Sequence, residues 1–204
     1  MRTVLYIFLL STLLLGYEPK DIERLLDDDV CNNCDFSDAN LSGLDLSVCE
    51  MQNSNFRGAN LSHTNLFMSD LKGSDFTGAS LEKAMLHKAN LSLTTLESVK
   101  ASGINLKGTR LKNTSIKNSD FSYAIAWKAN FTDALIHNTD FSNSELGDAK
   151  FKNNDLRDSN LSGAILWKTH FKKTKLTQEQ CIEAKKEEAV LAADVVCYKK
   201  KVKE

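Results

Sequence analysis

Large apolar residues occur at every fifth position along most of this chain. Counting from Phe36 in steps of five reaches Leu176 after 29 positions without an insertion or deletion, and 27 of these positions hold a large apolar residue. Ala101 and Ala126 are the two exceptions. The residue two positions before each of these 29 positions is usually small, and the residue directly before is most often Asn or Asp. The chain therefore carries an uninterrupted five-residue repeat.

A five-residue period fits neither an α-helix nor a β-strand. At about 100° per residue, a helix would scatter these side chains around its circumference, and a strand would alternate them between its two faces. A square coil with one repeat on each side would instead direct every fifth side chain towards a common axis. The small residue two positions earlier would fill the remaining interior. A fixed repeat of this kind predicts a solenoid, here with four repeats in each coil.

The repeats also resemble those of a known family. The segments A-N-L-S-G at residues 39–43, A-N-L-S-H at 59–63, S-D-F-T-G at 74–78 and A-N-F-T-D at 129–133 are similar to the repeats of pentapeptide repeat proteins. The resemblance spans residues 34–176, about 70% of the chain. It implies an all-β solenoid, the right-handed quadrilateral β-helix of that family. The 29 repeats correspond to about seven coils, which at about 4.8 Å per coil form a rod roughly 35 Å long.

The two flanks of the repeat are suited to covering the open ends of a solenoid. In residues 17–33, an N-terminal capping segment, Ile22, Leu25 and Leu26 have helical spacing and can lie over the first coil. Residues 177–204 are predicted to form an α-helical C-terminal cap. A capping box of Thr177 and Gln180 would begin an amphipathic helix whose apolar positions continue to residue 196.

Residues 1–16 have the features of a secretory signal peptide. A single basic residue, Arg2, precedes an apolar run from Val4 to Leu15, which is too short for a typical membrane-spanning helix of about 20 residues. Gly16 suits the position before a cleavage site, whereas Leu14 is larger than the small residue normally found there. We expect export to the periplasm or the exterior and removal of this segment. An uncleaved membrane anchor or a buried helix is the alternative.

Five cysteines in an exported chain suggest disulfides, and the odd number leaves one over. Cys31 and Cys34 frame the sequence CNNC at the entry to the first coil, where a structural disulfide is favoured over a thioredoxin-like redox pair because no βαβ pattern surrounds them. Cys181 and Cys197 would be about 24 Å apart on one straight helix, so pairing them requires two helices with a break near residues 186–190. This pairing is favoured partly because some exported pentapeptide repeat proteins resemble it. Cys49 occupies a small inner site and is expected to be packed there.

Folding the sequence at twenty residues per coil assigns each outward residue to one of four sides. We name the sides first to fourth after the inward residues Phe36, Leu41, Leu46 and Met51 of the first coil. The third side collects exposed apolar residues that the other sides lack. These interface candidates are Phe67, Met68, Met85, Ile125, Trp127, Ile165 and Trp167. Trp127 and Trp167 are two coils apart, with Gly147 between them, and so about 10 Å apart. A concentration of apolar side chains on one outer side indicates an interface for a protein partner or a second copy, although cover by the C-terminal segment would also explain it.

Charge and polar residues narrow the possible functions. The chain has 26 basic and 27 acidic residues, so its overall charge indicates neither a nucleic-acid partner nor a polyanion. The fourth side is mildly basic. It carries Lys72, Arg110, Lys112, Lys150, Lys152, Lys172 and Lys173.

The four histidines, His63, His87, His137 and His170, fall in different columns and suggest solvated surface residues.

No nucleophile–base pair, phosphate loop, cofactor motif or set of metal ligands stands out, so we predict no catalytic, cofactor-binding or metal-binding residue. The favoured function is an exported, non-enzymatic scaffold for protein–protein interaction, without nucleic-acid binding and without membrane association after removal of the signal. The resemblance also suggests an alternative, a DNA mimic that binds gyrase and protects it from quinolones. Mimicry of phosphates requires a strongly negative rod, which the composition of this repeat region does not provide.

Overall fold

A computed structural model describes residues 18–199 of the chain. The predicted signal peptide, residues 1–16, lies outside this range. A helix, α1 (Pro19–Asp28), begins the described chain. Six strands follow: β1 (Thr95–Glu97), β2 (Ser115–Lys117), β3 (Leu135–His137), β4 (Lys150–Lys152), β5 (His170–Lys172) and β6 (Lys175–Thr177). The chain continues with helix α2 (Gln178–Lys186) and the strands β7 (Val190–Leu191) and β8 (Val196–Tyr198).

Residues twenty positions apart pair in parallel along the whole repeat, which confirms the predicted quadrilateral β-helix. Strand β1 pairs with β2, and β2 with β3, always with partners one coil apart. Between these strands, single bridges continue the same register, beginning at Val30 with Glu50. Because each side is short, most of the ladder consists of such bridges joined by turns. The ladder ends where β6 pairs with β8 and β5 pairs with β7.

The five-residue period corresponds to the core, as predicted. All 29 positions of the period, from Phe36 to Leu176, are at most 5% exposed. Equivalent side chains lie above one another, so the phenylalanines form stacks. In the fourth side, Phe131, Phe151 and Phe171 follow one another with ring centroids 4.7 and 5.4 Å apart. Dense stacking of this kind inside a continuous column contributes both apolar burial and aromatic contact energy.

The frequent Asn or Asp just before each inward residue has a structural cause. Its side-chain oxygen accepts a hydrogen bond from the backbone N–H two residues later, as Asp35 does from Ser37 at 3.0 Å. Where Asn stands one coil above, its amide donates to the same oxygen, as Asn55 Nδ2 does to Asp35 Oδ1 at 2.9 Å. Nearly every corner then turns through a residue with positive φ, Asp158 being an exception, which is why Asn and Gly recur two positions after the inward residue.

The N-terminal end of the coil is closed by α1 and a disulfide. Leu25 of α1 is buried, and Ile22 and Leu26 pack against the core, in agreement with the prediction. Cys31 and Cys34 form a disulfide inside the first coil. Asp21 lies beside both sulfur atoms, a grouping that could otherwise hold a metal ion. Here the sulfurs are bonded to each other, and Asp21 Oδ2 accepts a hydrogen bond from the backbone N–H of Asp35 at 2.8 Å. This cluster is therefore a structural closure.

The C-terminal end differs from the predicted α-helical cap over residues 177–204. The capping box of Thr177 and Gln180 is confirmed, but α2 ends at Lys186 instead of continuing to Val196. A second helix was also expected, and in its place β7 and β8 add a further partial layer to the solenoid. The disulfide between Cys181 and Cys197 thus joins a helix to a strand.

The open edge of the last full coil explains why the segment after α2 forms strands and not a helix. Its backbone groups require hydrogen-bond partners, and the segment after α2 provides them. The backbone N–H of Val190 donates to Thr169 at 2.8 Å, and that of Val196 donates to Thr174 at 3.1 Å. β-branched valines suit this extended conformation better than a helix.

Within residues 18–199, neither helix has the length and apolar character needed to cross a membrane.

Cys49 is buried in its small inner site and takes part in neither disulfide.

Candidate protein-interaction surface

The third side presents a row of apolar side chains to solvent. Five of the seven candidates are exposed, and their exposed fractions are 51% for Met68, 40% for Met85, 37% for Ile125, 44% for Ile165 and 39% for Trp167. Phe67 and Trp127 are half-buried. Each inward neighbour, such as Leu66 or Leu166, is fully buried, so the period of the core forces these side chains outwards. All seven candidates therefore lie on one continuous side.

The other sides of the repeat region have far fewer exposed large apolar residues. Among the described residues, Leu135 is exposed on the first side, Tyr123 on the second and Leu93 on the fourth. The third side has one more, Val48, which lies at its N-terminal end and was not among the sequence-predicted candidates. Folding the sequence at twenty residues per coil would have found it. The asymmetry between the sides is the main feature of this surface.

Trp127 and Trp167 come closer together than their two-coil separation predicts. Their ring centroids are 6.0 Å apart instead of about 10 Å, with the ring planes inclined by 56°. Gly147 lies between them and makes the approach possible. A Cβ placed on Gly147 would come within 2.2 to 2.5 Å of three atoms of the Trp127 ring. The indole therefore lies directly over this glycine and leans towards Trp167.

Polar and cationic groups hold both indoles in place. Trp127 Nε1 donates a hydrogen bond to Glu145 Oε2 at 2.7 Å. Lys168 Nζ lies 4.0 Å from the centroid of the Trp167 ring, in a cation–π contact. Neither Glu145 nor Lys168 was identified from the sequence, because only the tilt of the indoles brings these groups together. The pair is thus a preorganised aromatic element, which reduces the entropy lost when a partner binds.

Substituting alanine for Gly147 is expected to displace Trp127. The new methyl group would overlap the indole, so the ring must swing into solvent and leave Glu145, at a cost of about 1–3 kcal/mol in the free energy of unfolding. We expect a red shift of tryptophan emission. In a Trp127→Ala background the same glycine substitution should be nearly neutral, because the clash no longer exists. An equal destabilisation in both backgrounds would contradict the arrangement.

A second aromatic contact lies nearer the N-terminus of the third side. The ring of His87 packs on Phe67 with centroids 4.3 Å apart, and Lys88 Nζ lies 5.8 Å from the Phe67 centroid. His87 Nδ1 is buried without a hydrogen-bond partner among the described residues. His87 is therefore part of the apolar surface, unlike the solvated residue that the sequence suggested. The other three histidines are exposed.

The titratable groups with shifted pKa values lie on the first side, away from this surface. A side-chain hydrogen bond from Arg157 is the largest cause that lowers the pKa of Asp155. Burial would raise the pKa of Asp75, but hydrogen bonds from Thr77 and Arg57 lower it below its usual range. The two carboxyl groups are four coils apart, and each is paired with its own neighbours. They do not form a paired acid–base site.

Two shallow depressions lie elsewhere on the rod. One, of about 390 Å³, is lined by residues such as Asp133, Asn154 and Lys175 where the fourth and first sides meet. The other, of about 470 Å³, lies against α2 and includes Arg157 and Glu183. Both are bordered by charged side chains and neither touches the apolar row. The third side is therefore an open surface, a shape suited to a macromolecule.

Comparison with solved structures finds other proteins with similar repeats. QnrB1, described as a plasmid-mediated fluoroquinolone resistance protein, is 20% identical, with 77% of this chain and 84% of that chain covered and a TM-score of 0.37. HetL, a pentapeptide repeat protein involved in heterocyst differentiation regulation from the cyanobacterium Nostoc sp. strain PCC 7120, is 18% identical, covers 89% and 93%, and has a TM-score of 0.29. A pentapeptide repeat protein from the Arabidopsis thaliana thylakoid lumen is 29% identical, covers 48% and 68%, and has a TM-score of 0.28.

Two family models match the repeat region of this chain. Residues 31–121 match the model described as a pentapeptide repeat region, and residues 114–153 and 155–178 match the model of pentapeptide repeats (8 copies). A search of curated proteins returned no match. The matched segments together span more than half of the chain and coincide with the coils of the solenoid. The chain therefore belongs to the pentapeptide repeat family.

Proposed function

We propose that this chain is an exported, non-enzymatic scaffold that binds a protein partner or a second copy of itself through the third side. The concentration of exposed apolar residues on that side is the observation that carries the proposal. Exposed apolar residues that collect on one side of a protein mark binding surfaces, whereas scattered single ones do not. The Trp pair, Phe67 and the two methionines are the residue types that anchor protein interfaces.

The length of the third side is sufficient for a small, specific interface. From Val48 to Trp167 the third side advances six coils, or about 29 Å at about 4.8 Å per coil. A rigid ladder of backbone hydrogen bonds holds every anchor in register. Binding therefore does not require the ordering of loops, which lowers its entropic cost.

Export is supported by the covalent closures at the two ends of the rod. The disulfides Cys31–Cys34 and Cys181–Cys197 are of a kind that persists in oxidising compartments and is rare in the cytosol. The predicted signal peptide points to the same compartments. We therefore place the partner in the periplasm or outside the cell.

Removing both indoles is the direct test of this proposal. The double substitution Trp127→Ala with Trp167→Ala should abolish self-association in light scattering, or partner capture in a pull-down, because interface tryptophans typically contribute 2 kcal/mol or more each, roughly, to binding. Circular dichroism should show an unchanged fold, since both indoles lie outside the core.

The matched control is Tyr123→Ala with Leu135→Ala, which removes two exposed apolar side chains from the second and first sides. This control should associate normally. Association that survives the loss of both tryptophans, or that is lost equally in the control, would overturn the proposal.

DNA mimicry is the competing function, and it predicts a negatively charged rod that inhibits gyrase. A mimic must present negative charge along the rod, whereas the third and fourth sides carry more lysine than acid over most of their length. We expect the purified chain to leave gyrase supercoiling unaffected. Inhibition of supercoiling at micromolar concentrations would favour the mimic instead.

A further inference from the structure

The charges of the solenoid are strongly segregated, although their sum is close to zero. Between residues 85 and 173, ten cationic side chains project from the third and fourth sides. They are Lys88, Lys107, Arg110, Lys112, Lys128, Lys150, Lys152, Lys168, Lys172 and Lys173, which we call the cationic strip. Asp133, Glu145 and Asp148 are the acidic residues of the same repeats. Asp194 of the C-terminal layer also reaches this area, where it accepts a hydrogen bond from the backbone N–H of Lys173 at 2.8 Å. The overall composition conceals this asymmetry.

The strip covers the fourth side and its two corners and runs parallel to the rod axis. Lys112, Lys152, Lys172 and Lys173 lie at the corner towards the first side. Lys88, Lys128 and Lys168 occupy one column at the corner towards the third side and advance two coils at a time. Arg110 and Lys150 stand in the intervening coils, joined through the bridges that Asn130 makes with both of them. Each coil of this region therefore carries at least one cation, and successive levels are about 4.8 Å apart.

The cations of the strip form no ion pair within the described chain, although Lys88 and Lys168 lie over the rings of Phe67 and Trp167. All ten are exposed, and none has a carboxylate within ion-pair distance among residues 18–199. All three acids of these repeats are already engaged, and Asp133 Oδ1 accepts a hydrogen bond from Asn153 Nδ2. Glu145 accepts from Trp127, and Asp148 lies 3.8 Å from His170. Unneutralised like charges at this density repel one another, so an anionic ligand that reached them would relieve that repulsion.

We infer that the cationic strip binds a linear acidic polysaccharide, with its carboxylates on the lysines and a sugar ring against the exposed indole face. Cations at one level per coil match a chain with an anionic group on nearly every unit. The tryptophan pair lies beside Lys128 and Lys168, so this corner offers charge and an apolar ring surface together. Sugar rings have an apolar face as well as polar groups, and a ligand of this type needs both.

Two features of the structure favour this ligand over other polyanions. The cations lie beside the pair formed by Trp127 and Trp167, which can pack against the apolar face of a sugar ring. The disulfides at both ends are typical of compartments outside the cytosol, where nucleic acid is not the prevalent polyanion. A linear acidic glycan of the cell envelope or exterior satisfies both conditions.

This inference goes beyond the protein scaffold proposed above and can fail independently of it. The two surfaces share the indoles of Trp127 and Trp167, whereas the lysines of the fourth side belong to the strip alone. The triple variant tested below keeps both indoles and Lys168, so its charge substitutions should leave protein association intact. The two proposals therefore give separate readouts.

The test is a titration of the disulfide-intact chain with polygalacturonate, followed by calorimetry and tryptophan fluorescence. We expect saturable binding at low salt that weakens by about tenfold or more between 50 and 200 mM salt, because counterions are released on binding. Dextran, an uncharged polysaccharide, serves as the negative control and should not bind. The triple variant Lys112→Glu, Lys128→Glu, Lys152→Glu should lose at least about tenfold in affinity for polygalacturonate.

The matched control is Lys83→Glu, Lys100→Glu, Lys117→Glu, which changes the net charge equally but lies on the first and second sides. It should retain binding within about twofold of the unmodified chain. Absence of binding to polygalacturonate, or an equal loss in both triple variants, would overturn the strip as a site. Tighter binding to single-stranded DNA or to phosphatidylglycerol vesicles at equal anion concentration would overturn the assignment to a glycan.

Discussion

Replacing Phe151 by alanine is expected to lower the free energy of unfolding by about 3–5 kcal/mol, the largest effect of any single substitution considered for this chain. Phe151 is fully buried, and its ring stacks between Phe131 and Phe171 at 4.7 and 5.4 Å. It also meets the edge of Phe141 at 6.4 Å. Alanine would leave a cavity in the middle of this cluster, and the rigid coils on both sides cannot collapse to fill it.

The matched control is Phe151→Leu. Leucine occupies the same column three coils in succession, at Leu71, Leu91 and Leu111, so it fits the site with a loss of less than about 1.5 kcal/mol. Equilibrium denaturation followed by circular dichroism and by tryptophan emission should give the same ranking. A loss for alanine no greater than that for leucine would show that the buried volume of the Phe151 side chain contributes little to stability.

Removing the disulfide Cys181–Cys197 by a double alanine substitution should release the C-terminal layer. Closing a loop of this length stabilises a chain by about 3 kcal/mol in the chain-entropy treatment. Among the strands that the structure describes, β7 and β8 form the C-terminal edge of the ladder and pair on one side only, so the loss should be concentrated there. We expect the amide of Val190, which donates to Thr169 at 2.8 Å, to exchange with solvent about 100-fold faster.

Amides in the middle of the rod serve as the internal reference in that experiment. The N–H of Phe121, which donates to Asp140 at 2.7 Å, should keep its protection. Cys49→Ala is the matched cysteine control, since alanine occupies the equivalent inner site in many other repeats, such as Ala59 and Ala79. If Val190 and Phe121 lost protection together, the C-terminal layer would be part of one cooperative unit with the whole solenoid.

The fold of the repeat region could be predicted from the sequence because one interaction dominates it. Inward residues from Phe36 to Leu176 must reach a common axis, and a period of five leaves a square coil as the arrangement that buries them all. The helix α1 and the capping box at Thr177 could also be predicted, because local spacing and side-chain chemistry determine both. Such local signals are independent of what the rest of the chain does.

The end of the chain could not be predicted in the same way. Residues 190–198 have apolar positions compatible with either a helix or a strand, and the open edge of the last coil decides in favour of strands. That edge does not exist until the coils before it have formed. The same reason explains why the bond between Cys181 and Cys197 was expected to join two helices, whereas it joins α2 to β8.

The sequence by itself determined which residues lie inside, how many form a coil and which side each outward residue occupies. It could therefore identify the apolar third side. Only the tertiary structure decided which contacts the outward side chains make. Trp127 lies over Gly147 and approaches Trp167 to 6.0 Å, and the lysines of the cationic strip form no ion pairs within the described chain. Inward residues are fixed by a close-packed axis that repeats with the sequence. The outward apolar and cationic residues follow no such period, and their contacts depend on neighbours twenty or forty positions away that meet only in the folded coil.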